Sequence, residues 1–532
     1  MLKKYLAAGA IGTLAMVWVL SAQSPLQTAI SNSMKAMGAD NVKTLTLMGE
    51  GGDGALGQQL DPHSDFWRWY ANKNFLRGYD FDAKGFRTQR VRGEGNVPPG
   101  GGNGTTTPAP DQTQNTVTMA TAFAAQIEMA MTPVGFLKLA SEKVATVEEK
   151  TEKGKKWTVL SFPMEVAGTP AYKTMVNGYI DDKGMVQKVE TKIDQGFLGD
   201  IMWTAEFTDW KDFSGLKFPT HIVQRQGGPK YFELKVSDVK VNQPVDLSAA
   251  AGKGAPGGPG GAKGAAPGGA GGAKGAAPGG PAAKGGARGA PGGPGAAKGG
   301  AAPAAATDVS EDLGGGFWLI KGGYAAIVCD FKDYILIIEG PSSDTRADQI
   351  MAEAHRLIPK KPIKYVINTH YHFDHSGGLR TMAAQGAIVV TYKGNKGLYE
   401  KALINPHTLV PDEVQKSGKP LTKVKIDYVG DKKVFTDSTH TVETYHIEGS
   451  SHDINGLLVW LPKQKVLLEA DEFNVLTPTP TAPIPNPNSY QVNLAHEMER
   501  LKLDVDRIIP VHLPNDNHKV TLQELKYSAG KQ

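Results

Sequence analysis

Between residues 249 and 306 the chain is almost entirely Gly, Ala, Pro and Lys, with "GAKGAAPGG" at 261–269 and again at 272–280. A stretch without large apolar side chains has nothing to bury against the entropy of ordering its backbone. Glycine holds no strict every-third-residue register there, which excludes a collagen triple helix. The tract therefore reads as a flexible linker, spanning on the order of 40 Å root-mean-square as a Gly-rich coil. It divides the chain into segments 23–248 and 307–532, each of a size that can build its own core.

The linker also explains the charge. The formal net charge is +4, yet Lys253, Lys263, Lys274, Lys284, Arg288 and Lys298 all lie in the tract, which holds no acid, so the other residues sum to −2. The foldable parts give no case for nucleic-acid binding. The spaced lysines could touch an anionic cell envelope, or could simply keep a soluble spacer from collapsing.

The opening "MLKKYLAAGAIGTLAMVWVLSAQSP" places Lys3 and Lys4 before an apolar run that ends in "LSA". That is the pattern of a secretory signal peptide over 1–22, cleaved after Ala22, so a periplasmic or extracellular protein is expected, with no membrane span after cleavage. The single cysteine, Cys329, excludes an intramolecular disulfide and reads as a small core residue in "YAAIVCDF".

Segment 23–248 is β-rich. "NVKTLTLMGEG", "FWRWYANKNF", "KKWTVLSFPMEV", "KTMVNGYIDDKGMVQKVETKI" and "YFELKVSDVKVN" predict strands, Asp-Asp-Lys-Gly at 181–184 a hairpin turn, "TPVGFLKLA" (132–140) a helix, and 95–110 a long loop. The aromatics Trp67, Trp69, Tyr70, Phe75 and Tyr79 suit either an apolar cavity or ordinary core. "DPHSDFW" gathers Asp61, His63 and Asp65, which reads better as a polar turn than as a metal site, since nothing else in the segment completes one. The stretch from "WKDFSGLKFP" to "KVNQPVD" resembles the last strands of the half-barrel domains of lipoprotein-carrier-like periplasmic proteins.

Segment 307–532 alternates differently. "GFWLIKGGYAAIVCDFKDYILIIEGP" reads as consecutive strands, "ADQIMAEAHRLI" (347–358) as a helix stopped by Pro359, and "KPIKYVI" as a buried strand. Directly after that strand comes "NTHYHFDHSGG" (368–378), with His370, His372, Asp374 and His375 within six positions, followed by a short helix in "LRTMAAQG". Imidazole and carboxylate are the groups divalent zinc prefers, and four of them on one loop cannot be buried with ordinary partners.

"THYHFDHSGG" resembles the HxHxDH signature of the metallo-β-lactamase fold hydrolases, and the resemblance extends over about 315–515. It implies an α/β (α+β) fold, a four-layer αββα sandwich at the C-terminus, with metals at one edge. It also implies further ligands: His452 before "NGLLVWLP", Asp471 at the end of "KVLLEAD", and His512 after "VDRIIPV". His446 competes with His452 for the third histidine, and His452 is preferred because it directly precedes its strand. His370, His372 and His452 would then hold one zinc and leave a position open; Asp374, His375 and His512 would hold a second, with Asp471 between them. A metal-activated water would be the nucleophile, with Asp374 as the catalytic carboxylate beside it.

Some positions depart from the family pattern. Glu339-Gly340-Pro341 stands where the family usually has Asp-Gly or similar, so Glu339 would support the metal loop from a longer stem. Ser451 and Val511 replace the usual glycines before the third and last histidines. Asp471 stands where one β-lactamase subgroup has cysteine, so the ligand set looks more like the glyoxalase-type, lactonase and phosphodiesterase branches. Of the rest, the Pro-rich 474–490 would border the cleft or form a rigid surface connection, Tyr392, Lys393 and Tyr490 are candidate substrate contacts, and His355, His407, His440, His496 and His518 have no motif context. The expectation is an exported two-zinc hydrolase acting on a small-molecule ester, thioester, lactone, lactam or phosphodiester. An envelope-associated binding protein without turnover, or a periplasmic β-lactamase, is the alternative.

Overall fold

In a computed structural model, residues 24–65, 67–95, 111–119, 123–166, 172–248, 309–419 and 421–532 are described. The signal-peptide, linker and 95–110 loop readings fall wholly or almost wholly outside them. No helix among the described residues is long and apolar enough to cross a membrane.

The N-terminal segment forms one 11-stranded antiparallel sheet. It starts at the edge strand Gln112–Met119, steps back through Gly85–Glu94, Arg68–Asp80 and Thr44–Ala55, and then jumps to Lys230–Val241. From there it steps back again through Leu216–Gln226, Gly199–Phe213, Val186–Gln195, Tyr172–Ile180 and Lys155–Val166 to the other edge at Thr146–Glu152. The helix Phe123–Ala130 touches strands near both edges, so the sheet curls around it. Helices Pro25–Met37 and Pro133–Glu142 fill the same concavity, burying Met34, Met37, Phe136 and Leu137. Each has a local reason to begin where it does. Ser24 and Gln27 make a reciprocal capping box with Pro25 in the first turn, and Thr132 Oγ1 accepts from Gly135 N–H with Pro133 at the start. The predicted turn is present: Asp181 N–H donates to Met185 O at 3.0 Å, and Gly184 takes φ +79°.

The C-terminal segment is a four-layer αββα sandwich. A seven-stranded sheet runs from Ser310–Asp312 to Ile426–Val429, and a five-stranded sheet from Lys432–Thr436 to Arg507–Pro510. Alternation decides what each strand residue faces. Leu319, Ile327, Cys329, Leu336 and Ile338 point between the sheets and meet Val442, Val459, Leu468 and Ile509 there. Their neighbours Ile320, Val328, Ile335 and Ile337 point outward onto helix Asp344–Leu357, through Ala347, Ile350 and Ala354. On the other side, Leu458, Trp460, Leu467 and Ile508 pack under helices Ser489–Leu501 and Leu522–Ser528. Helix Asp344–Leu357 begins three residues before the predicted 347, because the Ser343 hydroxyl caps it by accepting from Arg346 N–H. Cys329 sits fully buried in the inter-sheet core.

The two segments pack against each other, and a single buried cluster runs through both. Asp200 of the first accepts from Thr408 N–H at 3.0 Å and Leu409 N–H at 3.1 Å, and its own N–H donates to Pro406 O at 2.8 Å. Phe197 packs on Phe373 and Tyr399. The segment 61–65 is a turn: His63 N–H donates to Asp61 Oδ1 at 2.9 Å, and the His63 ring Nε2 meets Gly394 O at 2.9 Å.

Candidate metal centre

Strand Ile363–Ile367 delivers the motif loop, and the fully buried Glu339 holds it. The Glu339 carboxylate accepts from Asn368 Nδ2 at 2.9 Å, Thr369 Oγ1 at 2.5 Å and Gly340 N–H at 3.2 Å, and lies 3.8 Å from His375 Nδ1. Asn368 also donates to His375 O at 2.8 Å and accepts from the Tyr399 hydroxyl. The short helix Phe373–Ser376 turns the chain so that Asp374 and His375 face the same cavity as His370. Gly377 makes that turn possible, because a Cβ there would lie 2.2 Å from Ser342 O.

The remaining residues arrive from the far sheet. Ser450 Oγ accepts from the N–H of His452 at 3.0 Å and of Asp453 at 3.2 Å, while donating to Glu472 at 2.5 Å. Asp471 follows strand Val466–Glu469, and His512 follows Arg507–Pro510. All seven residues expected from the sequence come together in two groups that share Asp471. One is His370, His372, His452 and Asp471; the other is Asp374, His375, Asp471 and His512.

Asp471 divides its oxygens between the groups. Oδ2 lies 3.0 Å from His452 Nε2 and 3.8 Å from His370 Nε2, whereas Oδ1 lies 3.0 Å from His512 Nε2 and 3.2 Å from His375 Nε2. Within each group two imidazole nitrogens point at each other: His370 Nε2 to His452 Nε2, and His375 Nε2 to His512 Nε2, both at 3.2 Å. A tetrahedral zinc with bonds of about 2.0–2.1 Å puts its nitrogens roughly 3.3 Å apart. The donor set and its spacing therefore fit two divalent ions. His372 Nδ1 is buried without a hydrogen-bond partner, as a nitrogen reserved for a metal would be.

The electrostatics divide the histidines. Burial holds His370 and His372 well below the usual imidazole range, in the neutral form that can coordinate. At His375 and His452 burial acts in the same sense but Asp471 outweighs it and raises both, so a metal bound there would displace a proton. Burial opposes the charge on Asp471, but His375, His452 and His512 outweigh it and keep the carboxylate ionised. Burial, then Asp374 and Asp471, raises the Tyr324 phenol, so it remains a donor to Asp374 Oδ2 at 3.3 Å.

His446 lies outside both groups. Its ring stacks on Tyr392 with centroids 3.8 Å apart, and Nε2 meets Ile454 O at 2.9 Å. Lys393 is exposed and reaches Asp431. Tyr490 is buried against His452, ring centroids 5.2 Å apart, with its hydroxyl unpartnered. Sequence reasoning missed the N-terminal residues Gln58 and Gln59, which contact Asp374 and His372 directly.

An αββα sandwich with two His/Asp groups at the ends of its strands, each able to hold a metal ion, defines a candidate metal-binding domain. Residues 336–512 match the model of the metallo-beta-lactamase superfamily, and this part of the chain has the metallo-β-lactamase fold. Among solved structures the chain is similar to the metallo-beta-lactamase from Pontibacter korlensis, at 17% identity over 41% of this chain and 96% of that one, with a TM-score of 0.31. It is also similar to the metallo-beta-lactamase from Hirschia baltica, at 16% identity over 41% and 95%, with a TM-score of 0.30. The comparison with curated proteins returns no match.

Proposed function

We propose that the protein is an exported, zinc-dependent hydrolase that cleaves an ester, thioester, lactone, lactam or phosphodiester in a small-molecule substrate. The observation that carries this reading is the Asp471 carboxylate, with one oxygen on each of two His-rich groups. His370, His372 and His452 would hold one ion, and Asp374, His375 and His512 the other, with Asp471 between. Two bound zinc ions would supply Lewis acidity toward the substrate oxygen and lower the pKa of the attacking water.

The chain's own groups set the stage for that chemistry. Asp374 has Oδ1 engaged by the Gln58 amide at 3.1 Å, which leaves Oδ2 toward His375 and His512, where it would join them in holding the second ion and lie beside the attacking water. Tyr324 remains a phenol beside that oxygen and fixes its direction. Tyr490, buried against His452, would hold that ring in its ligand orientation. Export rests on residues 1–22, and the division into 23–248, 249–306 and 307–532 rests on the composition of the tract between the two folded parts.

The test is a set of initial hydrolysis rates on the zinc-loaded mature protein with a β-lactam, a lactone, a thioester and a phosphodiester, each with and without a chelator. Turnover of one class that the chelator abolishes is the expected result. Turnover that survives the chelator would overturn the metal-dependent reading.

A further inference from the structure

The histidine and aspartate that the motif sets two residues apart are each held by the other half of the chain. In the turn at residues 57–60, the Gln59 backbone carbonyl lies 2.8 Å from His372 Nε2 and also accepts from the Tyr371 hydroxyl. One residue earlier, the Gln58 side-chain amide donates to Asp374 Oδ1 at 3.1 Å. One residue later, Leu60 O accepts from Ile454 N–H at 3.0 Å. The three contacts are consecutive, and the first two fall on one residue from each metal-competent group.

A carbonyl oxygen can only accept, so the His372 ring must carry its proton on Nε2. That leaves the Nδ1 lone pair free, and Nδ1 is the ring nitrogen without a hydrogen-bond partner. Phe373, between the two held residues, cannot yield. Its ring lies between Trp67 at 5.7 Å and Phe197 at 5.3 Å, and against it sits Gly57, where a Cβ would come within 2.3 Å of the ring. Gly57 takes φ +75°, which sets the entry to the turn.

We propose that the turn 57–60 of the N-terminal domain is a built-in part of the metal centre: Gln59 fixes the His372 tautomer through its carbonyl, and Gln58 is a positioning residue for Asp374. This rests on the zinc reading given above. The N-terminal domain is then a supporting shell for the site, in addition to any role of its own. Groups that orient metal ligands in this way typically contribute 10- to 100-fold in metal affinity.

The full mature chain tests it, with zinc affinity measured by chelator competition and the cobalt-substituted absorption spectrum as a report on ligand geometry. Gly57→Ala pushes the turn off Phe373, and Gln58→Leu removes the donor to Asp374 while keeping much of its bulk. Gly154→Ala is the control, because Gly154 has a similar φ of +77° and no atom within 4 Å of a Cβ. We expect Gly57→Ala to weaken zinc binding by about 10- to 100-fold, Gln58→Leu by several-fold, both with an altered cobalt spectrum, and Gly154→Ala to leave both unchanged. Wild-type zinc affinity and spectrum in Gln58→Leu and in a folded Gly57→Ala would overturn the inference. If Gly57→Ala does not fold, Gln58→Leu alone decides. A wild-type chain that binds no zinc would instead overturn the metal reading itself.

Discussion

Glu339 is a buried residue under two opposing demands, and substituting it separates them. Its φ is +83°, a left-handed conformation that costs a residue with a Cβ about 1–2 kcal/mol. Against that, its carboxylate accepts three hydrogen bonds, from Asn368, Thr369 and Gly340, at full burial. Bonds to a charged acceptor contribute roughly 1.5–3 kcal/mol each, and removing one partner strands the donors that remain. Glu339→Ala keeps the strained backbone and loses all three acceptors, so a net loss of about 3–5 kcal/mol is expected. Glu339→Gly loses the same bonds but relieves the strain, and should be about 1 kcal/mol milder. Glu339→Gln keeps the shape and should be mildest of the three. The assay is calorimetric melting of chelator-treated protein, so that metal affinity does not enter. For a domain of this size, the alanine variant should melt on the order of 10 °C lower. An alanine variant that melts with the wild type would refute the reasoning that hydrogen bonding outweighs strain here, and a glycine variant worse than alanine would refute the strain itself.

Three further outcomes follow from the same contacts. Asp471→Ala should lower zinc stoichiometry and activity together, while His446→Ala, whose ring stacks on Tyr392 outside both groups, should leave metal content at the wild-type value by elemental analysis. Adding zinc to metal-free protein should raise the melting temperature of the C-terminal domain, by about 4 kcal/mol of linkage at a thousandfold excess over Kd; a flat titration would count against the site. Burial, and then Asp200, pushes the Asp194 carboxyl up from 3.8 to about 7. The folded state therefore binds this proton more tightly than the unfolded chain, and stability is lost as pH rises from about 4 to about 7. Asp194→Asn should melt higher than wild type at pH 8, by about 1–2 kcal/mol for a partly exposed group, and match it below pH 4; equal melting at both values would show that the carboxyl titrates normally.

The strands and motif loop of the αββα domain were readable because their signals are local, and the order of its layers came from the resemblance. Buried strands such as Ile363–Ile367 announce themselves as short apolar runs, and the HxHxDH spacing places four side chains without knowledge of anything else. His452, Asp471 and His512 were legible because the resemblance to the metallo-β-lactamase fold implies ligands beside particular strands, and the apolar runs located those strands. Some N-terminal strands were legible in the same way, but the polar strands Gly85–Glu94, Gln112–Met119 and Thr146–Glu152, which lack an apolar run, were not, and neither was helix Pro25–Met37. Its capping box at Ser24 and Gln27 is a clear local signal, but it lies directly after the apolar run of the expected signal peptide and merges with that pattern.

The turn at residues 57–60 was hidden for a different physical reason. Its main contribution is a backbone carbonyl, which every residue has, so no residue type at position 59 could have announced it. Its partner lies 313 positions away. The tract between the halves argued for independence, since a coil on the order of 40 Å lets two domains move apart. A long coil is equally compatible with domains that dock, because loop-closure cost grows only about 0.6 kcal/mol for each doubling of length. The composition of the tract therefore says nothing about contact. What decides contact is the aromatic surface of Trp67, Phe197 and Phe373, together with the polar groups of Asp200 and the turn. Each of those residues, read alone, is an ordinary part of a strand, a loop or a short helix.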